Sequence, residues 1–126
     1  MIEEPLLSSE ISTYEKFIAA IEELEGTWKE YVEKVNNLLS EWEKTKVKLL
    51  EKISKVEGLL KAVNEELEEL KVEAMLGLLN EDETKNRLDY LEQRKTKLES
   101  RLKSLKDILE DIEIKMAEHG TRVKKR

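Results

Sequence analysis

Cysteine is absent from the 126-residue chain, and turn-forming residues are scarce. Without thiols the protein can form neither disulfides nor thiolate metal sites. One proline and four glycines leave few places for turns, so few secondary-structure elements must account for many residues. Aromatic residues make up 5% of the chain, whereas Asp, Glu, Lys and Arg make up 41%. This composition is typical of long helices and coiled coils rather than of a compact globular core.

No segment indicates export or insertion into a membrane. Residues 1–10 lack the basic and apolar regions of a signal peptide. No apolar run approaches the roughly 20 residues that are needed to cross a bilayer. We therefore expect a cytoplasmic protein. Its many Lys and Glu residues and its single glutamine, Gln93, are similar to the usage in thermophilic proteins.

Charge is distributed unevenly along the chain. The formal net charge is −6, and the last six residues contribute +4, so the 120 residues before them carry −10. An acidic body does not suit a protein that wraps nucleic acid, because phosphates are neutralised by a basic stripe. A basic C-terminal tail is predicted at residues 120–126, either as a solvated, frayed end or as a contact for nucleic acid or an acidic partner. The candidate contact residues are Arg122, Lys124, Lys125 and Arg126.

A heptad repeat of apolar residues runs through the first part of the chain. With Ile11 at position a and Tyr14 at position d, apolar residues occupy nearly every a and d position as far as Ala74. The exceptions are Glu25 and Lys46. A 3.5-residue period that persists without a break over so many heptads predicts a helix that supercoils with a neighbour.

The beginning of this helix is predicted near residue 10, after an N-terminal tail at residues 1–9. Ser12 and Glu15 have the spacing of a capping box, in which each side chain satisfies a free backbone N–H of the first turn. The first helix is therefore expected over about residues 10–76.

A short turn is predicted at Gly77–Asn80. Gly77 suits the left-handed conformation that ends a helix, and Asn80 suits an N-cap that is followed by three acidic residues. A second heptad register follows, and Gly120 is expected to end the helix, which gives a second helix over about residues 81–119. Because so short a link makes the helices antiparallel neighbours, the predicted fold is all-α, a long antiparallel helical hairpin forming a coiled coil.

Flanking charges agree with one register of the hairpin. If the turn centres near residue 79, facing residue numbers sum to about 158, which places Leu70 opposite Leu88. The charged residues beside the apolar stripes were not used to choose this register, yet they fall into attractive pairs. The predicted pairs are Glu73–Arg87, Glu66–Arg94, Lys71–Glu92 and Glu57–Lys106.

The second helix is too short to face residues 11–38, since the alignment ends with Leu39 opposite His119. This segment has apolar residues at position g as well as at a and d, and so wide a face requires more than one neighbouring helix. Either copies of the chain oligomerise into a helical bundle through residues 11–42, or the chain folds back at Gly26–Thr27. We favour oligomerisation, because the heptad phase continues through Gly26. The predicted interface with another copy or a partner consists of Ile11, Tyr14, Phe17, Ile18, Ile21, Leu24, Trp28, Tyr31, Val32, Val35, Leu38 and Trp42.

Residues that would carry chemistry are few. His119 is the sole histidine, so a zinc site is not expected, and there is no Glu-x-x-His motif or Gly-rich phosphate loop. No catalytic, cofactor-binding or metal-binding residue is predicted. The expected function is that of a non-enzymatic coiled-coil scaffold or adaptor that acts through homo-oligomerisation and protein–protein interaction. An alternative is an accessory factor of a nucleic-acid-associated complex that uses the basic tail.

One segment resembles a known group of proteins. Residues 75–91, MLGLLNEDETKNRLDYL, look like the helical-hairpin turns of coiled-coil proteins in the archaeal ESCRT-linked cell-division machinery. The shared feature is a glycine, two apolar residues and then a capped, acidic helix start, and it covers less than a fifth of the chain. The resemblance implies a further alternative, a component of an archaeal cell-division-type assembly.

Overall fold

Two long helices form the chain. The computed structural model describes the backbone of residues 3–78 and 80–124, and the side chains of residues 12, 14–78 and 80–124. Helix α1 (Glu3–Met75) and helix α2 (Glu81–Lys124) pack against each other as a helical hairpin, with no strand in the described ranges. The predicted fold class is therefore confirmed. The hairpin divides into unit 1, residues 1–41 with 119–126, and unit 2, residues 42–118.

Helix α1 begins earlier than predicted. Its first residue is Glu3, inside the stretch that was expected to be an N-terminal tail. Pro5 is compatible with this start, because the first turn of a helix has no intrahelical partner for the N–H that proline lacks. Ser12 consequently lies within the helix, and the predicted capping box with Glu15 does not mark its beginning.

Helix α1 also continues through Gly26, which excludes the alternative in which the chain folds back at Gly26–Thr27. The Thr27 hydroxyl donates a hydrogen bond of 3.0 Å to the Glu23 carbonyl one turn earlier. This bond is typical of a threonine in a helix interior, whereas an N-cap threonine would accept a bond from a following N–H. A Cβ at Gly26 would meet no atom within 4 Å, so this glycine lies on an open helix surface.

The turn between the helices has the predicted chemistry. Gly77 has a φ of +70°, and its N–H donates to the Ala74 carbonyl at 3.1 Å. The N–H of Leu78 donates to the Glu73 carbonyl at 3.1 Å, which completes a Schellman motif at the end of α1. Asn80 then caps α2, since its side-chain oxygen accepts the Asp82 N–H at 2.9 Å.

The core of unit 2 is a single apolar cluster that is formed by both predicted stripes. Leu91 is its most buried member, with 2% of its surface exposed. The α1 side chains in the cluster lie at the predicted a and d positions, as do those from α2. The buried members are Val56, Val63, Leu67, Leu70, Leu91 and Leu98, and Leu60, Leu88, Leu102 and Leu105 pack against them.

Ion pairs at the edges of unit 2 agree with the predicted register only in part. Lys106 lies 3.8 Å from Glu57, as predicted, but Arg87 pairs with Glu66 at 3.5 Å instead of with Glu73. The other two predicted pairs do not form between the described side chains. Exposed ion pairs contribute little free energy, so a long charged side chain can pair with any of several neighbours. Lys46, which interrupts the apolar stripe, reaches Glu113 across the hairpin.

Helix α2 passes through Gly120 and ends at Lys124, beyond the predicted end. Val123 continues the heptad of α2 one repeat beyond Met116 and is half-buried. The basic side chains of Arg122 and Lys124 lie in the last turn, where a helix favours positive charge. A Cβ built at Gly120 would lie 3.8 Å from Leu39 Cδ1, so Gly120 is an interior helix position in close contact with α1.

Candidate functional site

An exposed apolar surface lies on α1 in unit 1, and we call it the N-terminal apolar face. It is one side of the helix over residues 14–24, where α2, as far as the structure describes it, does not cover the stripe. Its three most exposed side chains are Tyr14 at 62%, Phe17 at 65% and Leu24 at 69%. The face consists of Tyr14, Phe17, Ile18, Ile21 and Leu24.

The end of α2 covers more of α1 than the sequence predicted. Val35 is only 5% exposed, and Tyr31 and Val32 are half-buried. The expectation that residues up to 38 would face nothing from the second helix is wrong for Val35. The difference arises because α2 continues to Lys124 and therefore reaches further along α1 than position 119.

The predicted interface therefore separates into three groups. The N-terminal apolar face and Leu38 are exposed, as an interface with another molecule requires. Trp28, Tyr31 and Val32 are half-buried. Val35 and Trp42 are buried by their own chain, at 5% and 6% exposure, so they are core residues and not part of a free surface. The side chain of Ile11 lies outside the described residues.

A polar contact joins the two helices at the inner end of the face. The Tyr31 hydroxyl oxygen lies 2.7 Å from His119 Nδ1, and the two rings have centroids 5.9 Å apart. Trp28 also packs near Tyr31, with ring centroids 5.5 Å apart. From the sequence, His119 was placed opposite Leu39 and considered as a zinc ligand, but it was not paired with Tyr31. Its position d in the α2 heptad, at the border of the wide face, was the signal that could have indicated a pairing with tyrosine.

Charged residues line one edge of the N-terminal apolar face. Position e of the heptad holds Glu15, Glu22 and Lys29, and all three are exposed. The opposite edge, position g, holds Phe17 and Leu24, so the face is charged along one side and apolar along the other. Glu25 is the one charged residue within the stripe itself between Tyr14 and Val35.

The basic tail is partly helical. Arg122 and Lys124 are exposed on the last turn of α2, while Lys125 and Arg126 lie outside the described residues. No contact in the described part of the chain gives this tail a binding role, so nucleic-acid contact stays a prediction.

Other kinds of site can be considered over the same residues. Among the described side chains, no group of three His, Asp or Glu residues is placed to hold a metal ion. Neither helix contains, within the described residues, a stretch that is long and apolar enough to cross a membrane. Comparison with protein-family models, with curated proteins and with solved structures gives no match for this chain.

Proposed function

We propose that this protein is a non-enzymatic coiled-coil scaffold that acts by self-association through the N-terminal apolar face. The observation that carries the proposal is the exposure of five large apolar side chains in a row on one helix side. A fully exposed side chain of this size offers about 200 Å² of surface. At their observed exposures, the five side chains together present on the order of 600 Å² of apolar surface. Contiguous apolar patches of this size mark interaction surfaces in proteins that are otherwise monomeric.

The rest of the molecule supports a scaffold. Unit 2 has its own apolar core and a well-capped turn, so the hairpin does not need a partner to bury its stripe there. Exposed apolar side chains also occur elsewhere, with Met75, Leu76 and Leu78 at the turn, but the N-terminal apolar face holds five of them at successive a, d and g positions of the heptad. A helical hairpin whose unit 1 carries such an apolar segment is suited to joining copies of the chain to each other and to a further protein, in cytoplasm as we expect.

The test is the mass of the protein in solution. Sedimentation equilibrium of the unmodified chain should give a mass above the 14.8 kDa of one copy, falling towards that value on dilution. Ile21→Glu places a charge in the face and should shift the protein to a monomer, since burying an unpaired carboxylate is strongly unfavourable. Ala20→Glu adds the same charge at the neighbouring exposed position on the outer side of the helix, and it should leave the mass unchanged.

Circular dichroism of each variant shows whether the hairpin is intact. Both substitutions lie on exposed positions, so the helical signal should match that of the unmodified protein. A well-folded monomer at millimolar concentration for the unmodified chain would refute the proposal. Equal dissociation by Ile21→Glu and Ala20→Glu would show that self-association uses another surface.

A further inference from the structure

One side of unit 2 is basic, although the chain as a whole has a net charge of −6. Position g of α2 shares a side of the hairpin with position g of α1, since Arg87 and Glu66, which hold these positions, form an ion pair. Position c lies on the same side, because residues three or four apart are neighbours on a helix surface. Over the middle of unit 2 these positions hold six exposed basic side chains, which we call the basic band. They are Lys48, Lys52 and Lys55 on α1, and Arg94, Lys97 and Arg101 on α2.

The two halves of the basic band follow one another along the hairpin. In the register of the two helices, residues 94–101 lie beside about residues 57–64 of α1, just beyond the three lysines of α1. The band therefore runs obliquely from α1 to α2 over about 25 Å, at 1.5 Å for each residue. A polyanion that crosses the hairpin obliquely can thus contact all six side chains.

The charge of the band is not neutralised within the described part of the chain. None of its six side chains makes an ion pair or a side-chain hydrogen bond there. Two carboxylates lie across from the band on the same side, but other cations engage them. Glu66 pairs with Arg87 at 3.5 Å, and Asp111 pairs with Lys115 at 3.0 Å. The band is therefore available to an anionic ligand.

The band does not help to hold the hairpin together. Its side chains are exposed and contribute nothing to the apolar core. Lys48 and Lys52 are four residues apart on one helix, as are Lys97 and Arg101, and like charges at this spacing destabilise a helix. Glu51, an acidic neighbour along α1, lies at position f, further around the helix than the band. Phosphate is a suitable ligand, because arginine binds it in a bidentate manner.

An exposed tyrosine lies at the α2 end of the band. Tyr90 is one helical turn before Arg94, and 58% of its surface is exposed. It makes no ring contact or side-chain hydrogen bond within the described residues. Proteins that bind single-stranded nucleic acid combine a basic groove with aromatic side chains on which unpaired bases stack. A duplex keeps its base faces inside its own stack, so Tyr90 favours a single strand.

An acidic protein helix would fit the band less well. Leu59 and Ile108 lie beside the band, at 39% and 49% exposure, and two such side chains fall short of the apolar core of a protein interface. On the same side, Glu69 and Glu73 lie beyond the band towards the turn. These carboxylates repel a polyanion that runs along the hairpin, and they favour one that crosses it.

We propose that the basic band binds the phosphate backbone of a single-stranded nucleic acid, with one base stacked on Tyr90. The inference goes beyond self-association and does not depend on it, because the band lies in unit 2 and the N-terminal apolar face lies in unit 1. It also differs from contact through the basic tail, since no residue of the band belongs to residues 120–126. Binding is independent of sequence, because phosphate contacts carry no sequence information.

The test is the salt dependence of binding, measured by fluorescence anisotropy. The probe is a labelled thymidine strand of about 20 nucleotides, which is longer than the usual site for a single strand. If six cations neutralise phosphates, affinity should fall about 300-fold between 50 and 200 mM salt. Arg94→Gln/Arg101→Gln removes two of the six, so the fall should be only about 50-fold, and binding at 50 mM salt should be weaker.

The matched control removes two cations from the basic tail. Arg122→Gln/Lys124→Gln changes the net charge by the same amount, at exposed positions outside the band. It should keep the fall of about 300-fold between the two salt concentrations. Equal losses in the two double variants would overturn the inference, because the strand would then respond to overall charge. A strand that does not bind the unmodified chain at 50 mM salt would also overturn it.

A second pair of substitutions separates binding from folding. Lys48→Gln/Lys52→Gln removes two cations from the other helix and should give the same reduced salt dependence as the arginine variant. Both variants remove like-charged neighbours from exposed positions, so their helical circular dichroism and urea midpoints should not fall. A lysine variant that retains the full salt dependence would show that α1 does not contribute, and it would overturn the oblique band.

Tyr90 tests whether the ligand is a single strand. Tyr90→Ser should weaken binding on the order of tenfold, whereas Tyr90→Phe keeps an aromatic face and should bind like the unmodified chain. A duplex of the same length should bind less tightly than the single strand. A duplex that binds as tightly, or a Tyr90→Ser variant with unchanged affinity, would overturn the assignment to a single strand.

Competition distinguishes nucleic acid from an acidic protein. Unlabelled thymidine strand should displace the probe, and polyglutamate with the same number of charges should displace it much less well. Equal displacement by polyglutamate would show that the band binds an acidic polypeptide as readily, and it would overturn the inference.

Discussion

Gly77 and Gly58 should respond in opposite directions to replacement by alanine. Gly77 is the turn residue with a φ of +70°, in the left-handed region where a Cβ approaches the following carbonyl oxygen. Gly58 lies inside α1, where a Cβ would meet no atom within 4 Å. The same chemical change therefore meets backbone strain at one site and open helix surface at the other.

The magnitudes follow from these two environments. Alanine in the left-handed conformation costs about 1–2 kcal/mol. Part of this is offset because alanine restricts the unfolded chain more than glycine does, by about 0.4–1 kcal/mol. Gly77→Ala should thus lower the free energy of unfolding by about 1 kcal/mol. Gly58→Ala should raise it by about 1 kcal/mol, which is the helix-propensity difference between the two residues.

The measurement is urea unfolding followed by the helical circular dichroism signal, with all proteins at one concentration so that self-association contributes equally. The two variants should then differ by about 2 kcal/mol, with the unmodified chain between them. If Gly77→Ala is as stable as the unmodified protein, the left-handed glycine is not required to close the hairpin. If both variants lose stability equally, the argument from conformation is wrong.

Two further predictions concern unit 2. Leu91→Ala should lower the free energy of unfolding by about 3 kcal/mol, because Leu91 is 2% exposed. The same change at Leu50, which is 44% exposed, should lower it by less than about 1 kcal/mol. Equal losses of stability in the urea titrations would contradict the assigned core. The hydrogen bond and the negative charge of Glu113 raise the pKa of Lys46 above 10.5. Because this pKa is higher in the folded than in the unfolded chain, the pair stabilises the fold fully below pH 10.5 and loses its effect as the pH rises through the folded pKa. Glu113→Gln should therefore flatten the dependence of the urea midpoint on pH above about 10, and an identical curve for the variant would refute this role of the pair.

Most of the fold could be predicted because local signals and the heptad pattern point to the same structure. The turn is the clearest case, since Gly77 and Asn80 have the residue types that their backbone positions require. Helix ends were predicted less well. Gly120 looked like a terminator, but a glycine ends a helix only where no further packing favours continuation. Here Val123 supplies that packing one heptad after Met116.

The candidate site could be predicted as a region but not residue by residue. A stripe that is apolar at a, d and g predicts that more than one neighbour is needed, but it does not say which residues each neighbour covers. Val35 and Trp42 lie in the same stripe as Ile21. Val35 is core because α2 continues to Lys124, whereas Trp42 lies in the part of the stripe that the predicted second helix already faced. The contact between Tyr31 and His119 joins side chains far apart in sequence, so it depends on the register and on rotamers that no local pattern specifies.

The tight turn at Gly77 also determines the order in which unit 2 is expected to fold. Closing a loop costs more entropy as the loop lengthens, and the pairs next to the turn join residues that are nearest in sequence. Leu70 and Leu88 can therefore meet before Ile53 and Leu105, and each layer that forms shortens the effective loop for the next. Such a chain has few long-range contacts that must form first, a topology that is associated with fast folding. Amide hydrogens near Trp42 are accordingly expected to exchange with solvent sooner than those of the layers around Leu67.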